Sequence, residues 1–402
     1  QEHGGLQRVE PGVCADLVYA PCSNSCPASV DVPAYLAYTK IGKYETALQA
    51  HMKTNPFPAV CGRVCPAFCE SRCRRKDIDT AINIRAVKRF MADEVEKYQP
   101  AYPEKRESNG KKVAVIGAGP SGLSCAYFLT MIGYEVTVFE ALPEPGGMLT
   151  YAIPEYRLPK AIIKKEIEAL IDYGIEIKTN TRIGTDISIG QLRNRGYQAF
   201  YLAAGAWDCV NPPIDGLDNN KVMSGLDFLY KVSNKEKIHV GEKIIVVGGG
   251  NTAIDAARTA QRLGAEVSLI YRRTRSEMPA DIAEIEQAEK EGINISVLQN
   301  IKSVSDNNGK LDVEMVKMRL GEFDRSGRRR PVEIQVSSFK EQIDVLILAL
   351  GQMTSIEEIA QSESLELNRN RTVKSDSGKG ETSVKDIFAG GDVLSGPATV
   401  VE

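Results

Sequence analysis

The sequence lacks any apolar run long enough to cross a membrane. Its longest runs, such as VLILAL at residues 345–350, are much shorter than the roughly 18 apolar residues of a membrane-spanning helix. An excess of one charge is also missing, since the formal net charge is only −3. Without a positive field the chain is poorly suited to nucleic acid. We therefore expect neither a membrane span nor a nucleic-acid partner.

Histidine is scarce, with three residues among 402, which disfavours a mixed cysteine–histidine metal site. Cysteine is unevenly distributed, because seven of the nine lie within the first 73 residues. A disulfide-stapled secreted protein would be short, and this chain is long. The clustering therefore predicts metal ligation in a reducing compartment, and we expect a cytoplasmic protein. The seven residues are Cys14, Cys22, Cys26, Cys61, Cys65, Cys69 and Cys73.

The spacing within this cysteine block favours an iron–sulfur cluster. The segments CSNSCP at residues 22–27 and CGRVCPAFCESRC at residues 61–73 each contain a Cys-Pro pair, which also occurs in ferredoxin-like cluster sites. Cysteines recur every four residues in the second segment, but Pro66 disfavours a continuous helix. A bent path can bring several thiolates to one inorganic cluster. Structural zinc, whose usual CxxC knuckles are absent, and a disulfide framework are the alternatives.

The character of the sequence changes after the cysteine block. Residues 81–97 have apolar positions at helical spacing and predict an amphipathic helix, and the polar, proline-containing residues 98–110 predict a linker. From Lys111 onward short β-branched runs alternate with helical patterns, which is typical of βαβ units in a mostly parallel sheet. A chain of 402 residues suits two or three domains.

One supersecondary unit occurs twice, at residues 111–140 and at residues 242–273. Each copy contains an apolar strand, a glycine-rich turn, a helix with small residues on one face, and a second strand. Such a unit is the dinucleotide-binding half of a Rossmann fold. Two copies therefore predict two nucleotide-binding domains.

The turn of the first copy contains Gly117, Gly119 and Gly122. The first glycine permits the tight turn, the second lets the backbone approach a pyrophosphate, and the third allows close packing of strand and helix. The helix N-terminus offers unpaired N–H groups to the phosphates. Glu140 ends the second strand, where an acid accepts hydrogen bonds from a ribose diol. This context predicts a bound dinucleotide, and a packing turn without a ligand is the alternative.

In the second copy Ala253 replaces the third glycine, a change that the fingerprint tolerates. The second strand ends in Arg272 and Arg273 rather than in an acid, and arginines can pair with the 2′-phosphate of NADP. The alternative is that they face solvent or pair with acids such as Glu277. The residues expected to bind NAD(P) are Gly248, Gly250, Asn251, Thr252, Ala253, Arg272 and Arg273.

A buried strand at residues 344–352 and a Gly-Gly-Asp turn at residues 390–392 follow the second copy. The whole pattern resembles flavoproteins in which an NAD(P) domain is inserted into an FAD domain. The resemblance implies that FAD occupies the first glycine turn and that the terminal turn returns to it. The residues implied in FAD binding are Gly117, Gly119, Pro120, Ser121, Gly122, Glu140, Gly147, Gly391 and Asp392.

Disulfide reductases of this superfamily carry a cysteine pair for the flavin, and this sequence has none at the corresponding places. The segment MLTY follows Gly147 directly, and residues 220–345 contain no cysteine. Electrons that leave the flavin therefore need a different acceptor.

A longer series of motifs narrows the resemblance: TNPFPAVCGRVCP at residues 54–66, AINIRAVKRF at 81–90, YAIPEYRLPK at 151–160, and the two glycine turns. The series is similar to the small (beta) subunit of bacterial glutamate synthase. It is equally similar to the N-terminal part of dihydropyrimidine dehydrogenase and to the large subunit of ferredoxin-dependent NADP transhydrogenases. The resemblance implies a helical domain with one or two [4Fe–4S] clusters on the seven cysteines, beside FAD and NADP(H), with NAD(H) as an alternative.

The sequence departs from the family pattern within the cluster motifs. Leu17 stands where a ligating cysteine is usual, and Lys88 stands where the family can hold a glutamine ligand. The spacing from Cys65 to Cys69 is also shorter than usual. Seven thiols cannot fill eight ligand positions, so the number of clusters stays open.

The expected fold class is α/β, with two Rossmann-like domains, one inserted in the other, preceded by an all-α iron–sulfur domain. The expected domains are a cluster domain at residues 1–108, an FAD domain at 109–220 and 346–402, and an NAD(P) domain at 221–345. Family members continue through a helix that covers the flavin, so we expect the chain to be part of something larger. A basic run at residues 326–331, SGRRRP, predicts a solvated hairpin turn rather than a docking site.

These features predict an NAD(P)H-dependent oxidoreductase that passes electrons between NADPH, FAD and [4Fe–4S] clusters. We expect the acceptor to be a larger catalytic or electron-accepting subunit, a fused domain, or ferredoxin. Two alternatives stay open. One is a subunit of a ferredoxin:NAD(P) transhydrogenase or electron-bifurcating complex, and the other is a catalytically idle nucleotide-binding scaffold.

Overall fold

The computed structural model describes residues 20–95, 102–324, 327–376 and 378–402. These residues form two compact units. The first combines the described residues up to Leu149 with Tyr156–Gly205 and Ile356–Glu402, and the second consists of Thr150–Glu155 and Ala206–Ser355. The second unit therefore interrupts the first along the chain. The domain boundaries expected from the sequence stay a prediction.

The first unit opens with short helices. Asp31 is the N-cap of the second of them, because its carboxylate accepts a hydrogen bond from the Ala34 N–H at 3.1 Å. The last lies within the amphipathic segment predicted at residues 81–97, and residues 96–101, which include the start of the predicted linker, lie outside the described part. The helices are α1 (Pro21–Asn24), α2 (Val32–Lys40), α3 (Tyr44–Met52), α4 (Pro58–Val64), α5 (Phe68–Ser71) and α6 (Ile84–Val95).

Strands and helices alternate through the rest of the chain. Up to the interruption they are β1 (Lys112–Ile116), α7 (Pro120–Met131), β2 (Glu135–Phe139), α8 (Met148–Tyr151), α9 (Lys160–Asp172), β3 (Glu176–Lys178), α10 (Ile189–Asn194) and β4 (Tyr197–Leu202). The second unit adds β5 (Asp208–Cys209), β6 (Val222–Ser224), α11 (Gly225–Ser233), β7 (Lys243–Val247), α12 (Asn251–Arg262), β8 (Glu266–Tyr271), α13 (Ile282–Lys290), β9 (Asn294–Val297), β10 (Gln299–Asn307), β11 (Lys310–Phe323), β12 (Arg329–Glu333), β13 (Phe339–Ile343), β14 (Val345–Leu348) and β15 (Gln352–Met353). The first unit resumes with α14 (Glu357–Glu363), β16 (Ile387–Ala389) and α15 (Asp392–Ser395).

The first unit is built on one parallel sheet in the order β16-β4-β1-β2-β3. Its central strands are apolar and buried over nearly their whole length, as expected when helices cover both faces. β16 lies beside β4 although the whole second unit separates them in sequence. The carboxyl ends of β1, β2, β4 and β16 therefore meet at one edge, which is where such sheets bind ligands.

The second unit repeats the same plan. Its parallel sheet has the order β6-β14-β7-β8-β9, and an antiparallel sheet of β10, β11, β12 and β13 accompanies it. The predicted fold class, two Rossmann-like domains preceded by an all-α domain, is confirmed. Among the described residues no helix is both long and apolar enough to cross a membrane.

Within the first unit, α9 of the sheet domain supports the helical domain directly. The Glu166 carboxylate accepts hydrogen bonds from the backbone N–H groups of Ala59 at 2.7 Å and Val60 at 3.1 Å. These are first-turn N–H groups of α4, which have no partner inside their own helix. Burial raises the pKa of Glu166 to about 8, and the two N–H groups oppose that rise. α4 carries Cys61 and leads into Cys65, so this contact fixes part of the cysteine block against the sheet domain.

Replacing Glu166 with alanine should destabilise the protein, because two N–H groups of α4 would lose their acceptor. We expect a loss of about 1–3 kcal/mol in the free energy of unfolding, measured by chemical denaturation. Glu168→Ala is the matched control, since Glu168 lies exposed on the same helix with a loose Lys164 contact at 3.7 Å. Equal losses in the two variants would contradict the role of Glu166.

Candidate nucleotide and iron–sulfur sites

The first glycine turn lies between β1 and α7 and is fixed by contacts that leave no room for side chains. A Cβ on Gly117, whose φ is +106°, would lie 2.4 Å from the Ala203 carbonyl oxygen. A Cβ on Gly122 would lie 2.0 Å from the Gly117 carbonyl oxygen. At Gly119, by contrast, a Cβ would meet nothing within 4 Å. The open side of the turn is therefore at the glycine that the fingerprint assigns to the pyrophosphate.

Two further glycine-containing segments close on this turn. A Cβ on Gly147 would lie 2.9 Å from the Gly119 Cα atom, and a Cβ on Gly391 would lie 2.6 Å from the Ser121 Cβ atom. Both glycines have positive φ, of +56° and +67°. The terminal Gly-Gly-Asp turn thus returns to the first glycine turn, as the resemblance implied.

Tyr201 lies at this edge too, although its role there was not predicted from the sequence. Its hydroxyl lies 3.0 Å from the Ser121 hydroxyl, and a Cβ on Gly390 would lie 1.9 Å from the Tyr201 oxygen. Tyr201 therefore joins the start of α7 to the terminal turn. Tyr201 begins the segment YLAAGA at residues 201–206, which overlaps β4, but this segment does not show which neighbour the hydroxyl contacts.

Pro120 and Asp392 occupy the first positions of two helices at this edge. Pro120 starts α7, where the missing N–H costs no hydrogen bond, and Gly119 is the N-cap. Asp392 starts α15, and its carboxylate accepts a hydrogen bond from the Ala398 N–H at 3.2 Å. Burial raises the pKa of Asp392 above its ordinary value. Its position next to Gly391 suits contact with a ligand over the first turn.

Glu140 lies at the end of β2 and is only 7% exposed. One carboxylate oxygen accepts a hydrogen bond from the Ala118 N–H at 2.8 Å, and the other accepts from the Leu142 N–H at 2.9 Å. Burial raises the pKa of Glu140, and the backbone N–H groups oppose that rise. Each carboxylate oxygen has a second lone pair, so the group can also accept from ribose hydroxyls.

The second glycine turn repeats this geometry between β7 and α12. A Cβ on Gly248 would lie 2.3 Å from the Ala349 carbonyl oxygen, whereas a Cβ on Gly250 would meet only Pro279, at 3.9 Å. Ala253 takes the third position, and its Cβ lies 3.1 Å from the site of a Gly248 Cβ. Asn251 and Thr252 form the first turn of α12, where Asn251 accepts a hydrogen bond from the Asp281 N–H at 3.0 Å.

The two predicted phosphate arginines differ in their surroundings. Arg273 is 6% exposed and donates to the Arg329 carbonyl at 2.8 Å and to the Asp324 carboxylate at 3.4 Å. Arg272 is exposed at the end of β8. Partial desolvation, together with the positive charges of Arg273 and Arg328, lowers the pKa of Arg272. Arg272 is thus the more accessible of the two for an incoming phosphate, and the pairing partner of Arg273 is Asp324.

The second cysteine segment follows the bent path that Pro66 predicted. α4 ends at Val64, Cys65 is extended, and Ala67 adopts a left-handed conformation with φ of +58° before α5 begins. The Ala67 N–H points to the Cys65 sulfur at 3.4 Å. Such N–H groups tune sulfur ligands in iron–sulfur proteins.

The first cysteine segment packs against this bend. The Ser25 hydroxyl donates to the Phe68 carbonyl at 3.2 Å, which ties the Cys22–Cys26 turn to α5. Cys69 lies in the core of the helical domain, and Cys22 and Cys26 pack against that core. Cys14 lies outside the described residues. The described cysteines are all free thiols, so the disulfide alternative is not what the structure shows.

The remaining thiols and Lys88 complete the cysteine block. Cys61 is buried on α4, where the Asn55 amide donates to its sulfur at 3.5 Å, and Cys73 is buried just after α5. Burial raises the pKa of the Cys61 and Cys69 thiols to about 12 each, and the nearby charge of Lys88 opposes the rise. Lys88 is itself only 7% exposed. Thiols in such surroundings need a strong positive charge to become thiolates, and bound iron supplies one.

The arrangement fits a cluster better than a single ion. Among the described residues no three histidine, cysteine or acidic side chains are grouped so as to hold one metal ion, which disfavours zinc. In a [4Fe–4S] cluster each iron takes its own thiolate, so the ligands need not meet at one point. The described cysteines are free, buried or half-buried thiols, and those of the second segment lie along a bent chain.

Comparison with known proteins identifies the family. A model described as "Pyridine nucleotide-disulphide oxidoreductase" matches residues 79–198 and 111–402. A second model, described as "Dihydroprymidine dehydrogenase domain II, 4Fe-4S cluster", matches residues 8–100. The chain therefore belongs to the pyridine nucleotide-disulphide oxidoreductase family, whose members use FAD and NAD(P), and it carries a 4Fe–4S domain ahead of that fold. The predicted cofactor classes are thereby confirmed.

Several curated relatives are similar over almost the whole chain. The NADPH-Fe(3+) oxidoreductase subunit beta of Geobacter sulfurreducens is 39% identical over 96% of this chain and 62% of the relative. The NADP(+)-dependent formate dehydrogenase subunit beta of Moorella thermoacetica is 40% identical over 96% and 58%. The glutamate synthase [NADPH] small chain of Escherichia coli is 33% identical over 99% and 88%. The predicted resemblance is confirmed, and the chain spans only about three fifths of the first two relatives.

Solved structures show the same fold at low sequence identity. FprA of Mycobacterium tuberculosis in complex with NADPH has a TM-score of 0.60 at 16% identity, with 74% of this chain and 81% of that one covered. Thioredoxin reductase of Lactococcus lactis has a TM-score of 0.54 at 19% identity, with 72% and 94% covered. These likenesses concern the fold alone.

Replacing Glu140 with alanine should weaken FAD binding by roughly 10- to 100-fold, because charge-assisted hydrogen bonds of about 1.5–3 kcal/mol would be lost. The measurement is the flavin-to-protein ratio after purification and a flavin titration of the apoprotein. Glu135→Ala is the matched control, since Glu135 is exposed at the opposite end of β2, where it accepts from the Ser108 hydroxyl at 3.0 Å. Full flavin retention in Glu140→Ala would contradict the assigned role.

Proposed function

We propose that this protein oxidises NADPH and passes the electrons through FAD to [4Fe–4S] clusters. The proposal rests on the group of buried free thiols in the helical domain. Glu166 connects that domain to the unit that contains the first glycine turn. The segment after Gly147 has no cysteine, so a neighbouring internal disulfide is not the acceptor. The names of three relatives, which contain NADPH or NADP(+), support the nucleotide.

Each cofactor is assigned to a separate domain of the chain. We assign the cluster domain to residues 1–108, the FAD domain to 109–220 and 346–402, and the NAD(P) domain to 221–345. FAD is assigned to Gly117, Gly119, Pro120, Ser121, Gly122, Glu140, Gly147, Gly391 and Asp392. NADP(H) is assigned to Gly248, Gly250, Asn251, Thr252, Ala253, Arg272 and Arg273. The clusters are assigned to Cys14, Cys22, Cys26, Cys61, Cys65, Cys69 and Cys73.

The role of the protein in this chemistry is to bind the cofactors and to orient them for electron transfer. A flavin accepts two electrons as hydride and releases them one at a time, which links a nicotinamide to one-electron centres. The first glycine turn and Glu140 would hold the pyrophosphate and ribose of FAD, and the start of α7 would face the phosphates. Lys88 places a positive charge among the thiols, where net charge influences the potential of a cluster.

The electrons must leave the clusters for another protein or domain. The relatives are named as a beta subunit or a small chain, which supports a larger partner subunit or a fused domain as the acceptor. Ferredoxin is a further acceptor of compatible one-electron chemistry. Thiol-ligated clusters suit a reducing compartment, which supports a cytoplasmic location.

Replacing Arg272 with alanine should raise the KM for NADPH by roughly 10- to 100-fold, since a charge-assisted contact with the 2′-phosphate contributes about 1.5–3 kcal/mol. The KM for NADH, which lacks that phosphate, should change much less. Steady-state reduction of an artificial acceptor measures both. Arg262→Ala is the control, because Arg262 lies at the far end of α12 in an ion pair with Glu291. Equal effects on the two coenzymes would mean that Arg272 does not bind phosphate.

Replacing Cys69 with alanine should remove iron and acid-labile sulfide from anaerobically purified protein while FAD stays bound. Cys69 packs in the hydrophobic core of the helical domain, and that core contains no residue of the first glycine turn. Cys125→Ala is the matched control, since Cys125 is a half-buried free thiol on α7 and should not affect iron. Unchanged iron in Cys69→Ala would remove Cys69 from the ligand set.

A further inference from the structure

The basic run at residues 326–331 is not simply a solvated turn. β11 and β12 pair as an antiparallel hairpin, in agreement with the predicted shape, and Ser326 lies outside the described residues. Next to the hairpin turn, the Asp324 N–H donates to the Arg328 carbonyl at 2.7 Å, and the Arg328 N–H donates to the Asp324 carboxylate at 3.2 Å. Arg328 is therefore held at a defined position.

The Arg328 side chain reaches the second nucleotide site. Its Nη2 donates to the Tyr271 hydroxyl at 2.8 Å and to the Glu277 carbonyl at 3.2 Å. Tyr271 is the last residue of β8 and directly precedes Arg272. The Tyr271 ring also lies 2.6 Å from where a Cβ on Gly249 would stand, so it is packed against the glycine turn. Arg328 thus contacts Tyr271, which packs against the second glycine turn and directly precedes Arg272.

A second arginine, Arg273, also connects the hairpin to the end of β8. Arg273 of the β8 end donates to the Arg329 carbonyl at 2.8 Å and to Asp324 at 3.4 Å. The hairpin and the end of β8 therefore exchange contacts in both directions, with Arg328 reaching toward Tyr271 and Arg273 reaching toward the hairpin. This pairing fixes which arginine of the run faces the site.

The charges around the site are unbalanced. Desolvation lowers the pKa of Arg272. The positive charges of Arg273 and Arg328, which lie nearby, lower it further. Asp324 contacts Arg273, and the Glu277 carboxylate accepts from the Thr274 hydroxyl at 2.8 Å. Three guanidinium groups beside two acids leave an excess of positive charge that favours an added anion, and a phosphate oxygen matches the N–H donors of a guanidinium.

We propose that Arg328, from the hairpin of β11 and β12, is a third coenzyme-specificity residue, which binds the 2′-phosphate of NADP(H) together with Arg272. Within the described residues the Arg328 side chain donates its hydrogen bonds from Nη2, which leaves its Nε and Nη1 groups as donors for a phosphate. The inference rests on the proposed function of the second glycine turn. Arg273, which is assigned to the same site, also holds the hairpin in place through the Arg329 carbonyl and the Asp324 carboxylate.

The neighbouring arginines provide matched controls. Arg329 donates to the carbonyls of Gly321 at 3.1 Å and Leu320 at 3.2 Å, so it is used within its own hairpin. Arg330 is exposed and belongs to the same run. Arg330→Ala removes one positive charge from the hairpin without touching the site, which separates a specific contact from a general electrostatic effect.

The test measures binding of 2′,5′-ADP and of 5′-AMP to the purified full chain by calorimetry. Arg328→Ala should weaken 2′,5′-ADP about tenfold, as expected for loss of one charge-assisted contact, and should leave 5′-AMP within about twofold. Arg328→Lys should recover part of the affinity, and Arg330→Ala should bind both nucleotides like the unaltered protein.

The outcomes separate this inference from the proposed function. If Arg272→Ala weakens 2′,5′-ADP and Arg328→Ala does not, the role of Arg328 is wrong and the phosphate site stands. An equal loss of both nucleotides in Arg328→Ala would also overturn it, because Arg328 would then only support the glycine turn. If the unaltered protein binds the two nucleotides equally, the proposed preference for NADP fails first.

Discussion

The structure depends on backbone contacts at the glycine turns that are too close for any side chain. Gly117 and Gly122 approach the carbonyls of Ala203 and Gly117 so closely that a Cβ would stand at 2.4 and 2.0 Å. A Cβ on Gly391 would likewise be too close, at 2.6 Å from the Ser121 Cβ atom. These contacts fix β4, α7 and the terminal turn around Gly119, whose own open side is the space that a pyrophosphate needs. The second turn repeats the arrangement with Ala253 in place of one glycine.

The cysteine block follows a different constraint, which is the free energy of placing thiolates in a buried site. Burial raises the pKa of the Cys61 and Cys69 thiols further above neutral pH, and the charge of Lys88 offsets only part of that rise. Iron supplies the missing positive charge, so metal binding and the packing of the helical domain are expected to be coupled. Glu166 connects this domain to the FAD unit through the start of α4, which places both candidate centres in one compact body.

Local features of the fold were predictable, and long-range contacts were not. Asp31 as a helix cap, the break at Pro66 and the three glycine roles follow from rules that act over a few residues. The Ser121–Tyr201, Glu166–Ala59 and Arg328–Tyr271 contacts join residues 80, 107 and 57 positions apart, so no local pattern encodes them. The pairing of Arg273 with Asp324 rather than with solvent or Glu277 has the same origin. Fold class and cofactor classes were therefore predictable, but the environment of individual charged groups was not.

The most direct test of electron transfer from NADPH through FAD to the clusters is anaerobic addition of NADPH to the purified full chain. Flavin absorbance and electron paramagnetic resonance of the clusters are then measured. We expect flavin absorbance to fall and the signal of reduced clusters to appear in the same sample. Reduction of the flavin with the iron still oxidised, or a protein that contains no iron, would contradict the transfer of electrons from FAD to thiol-bound iron.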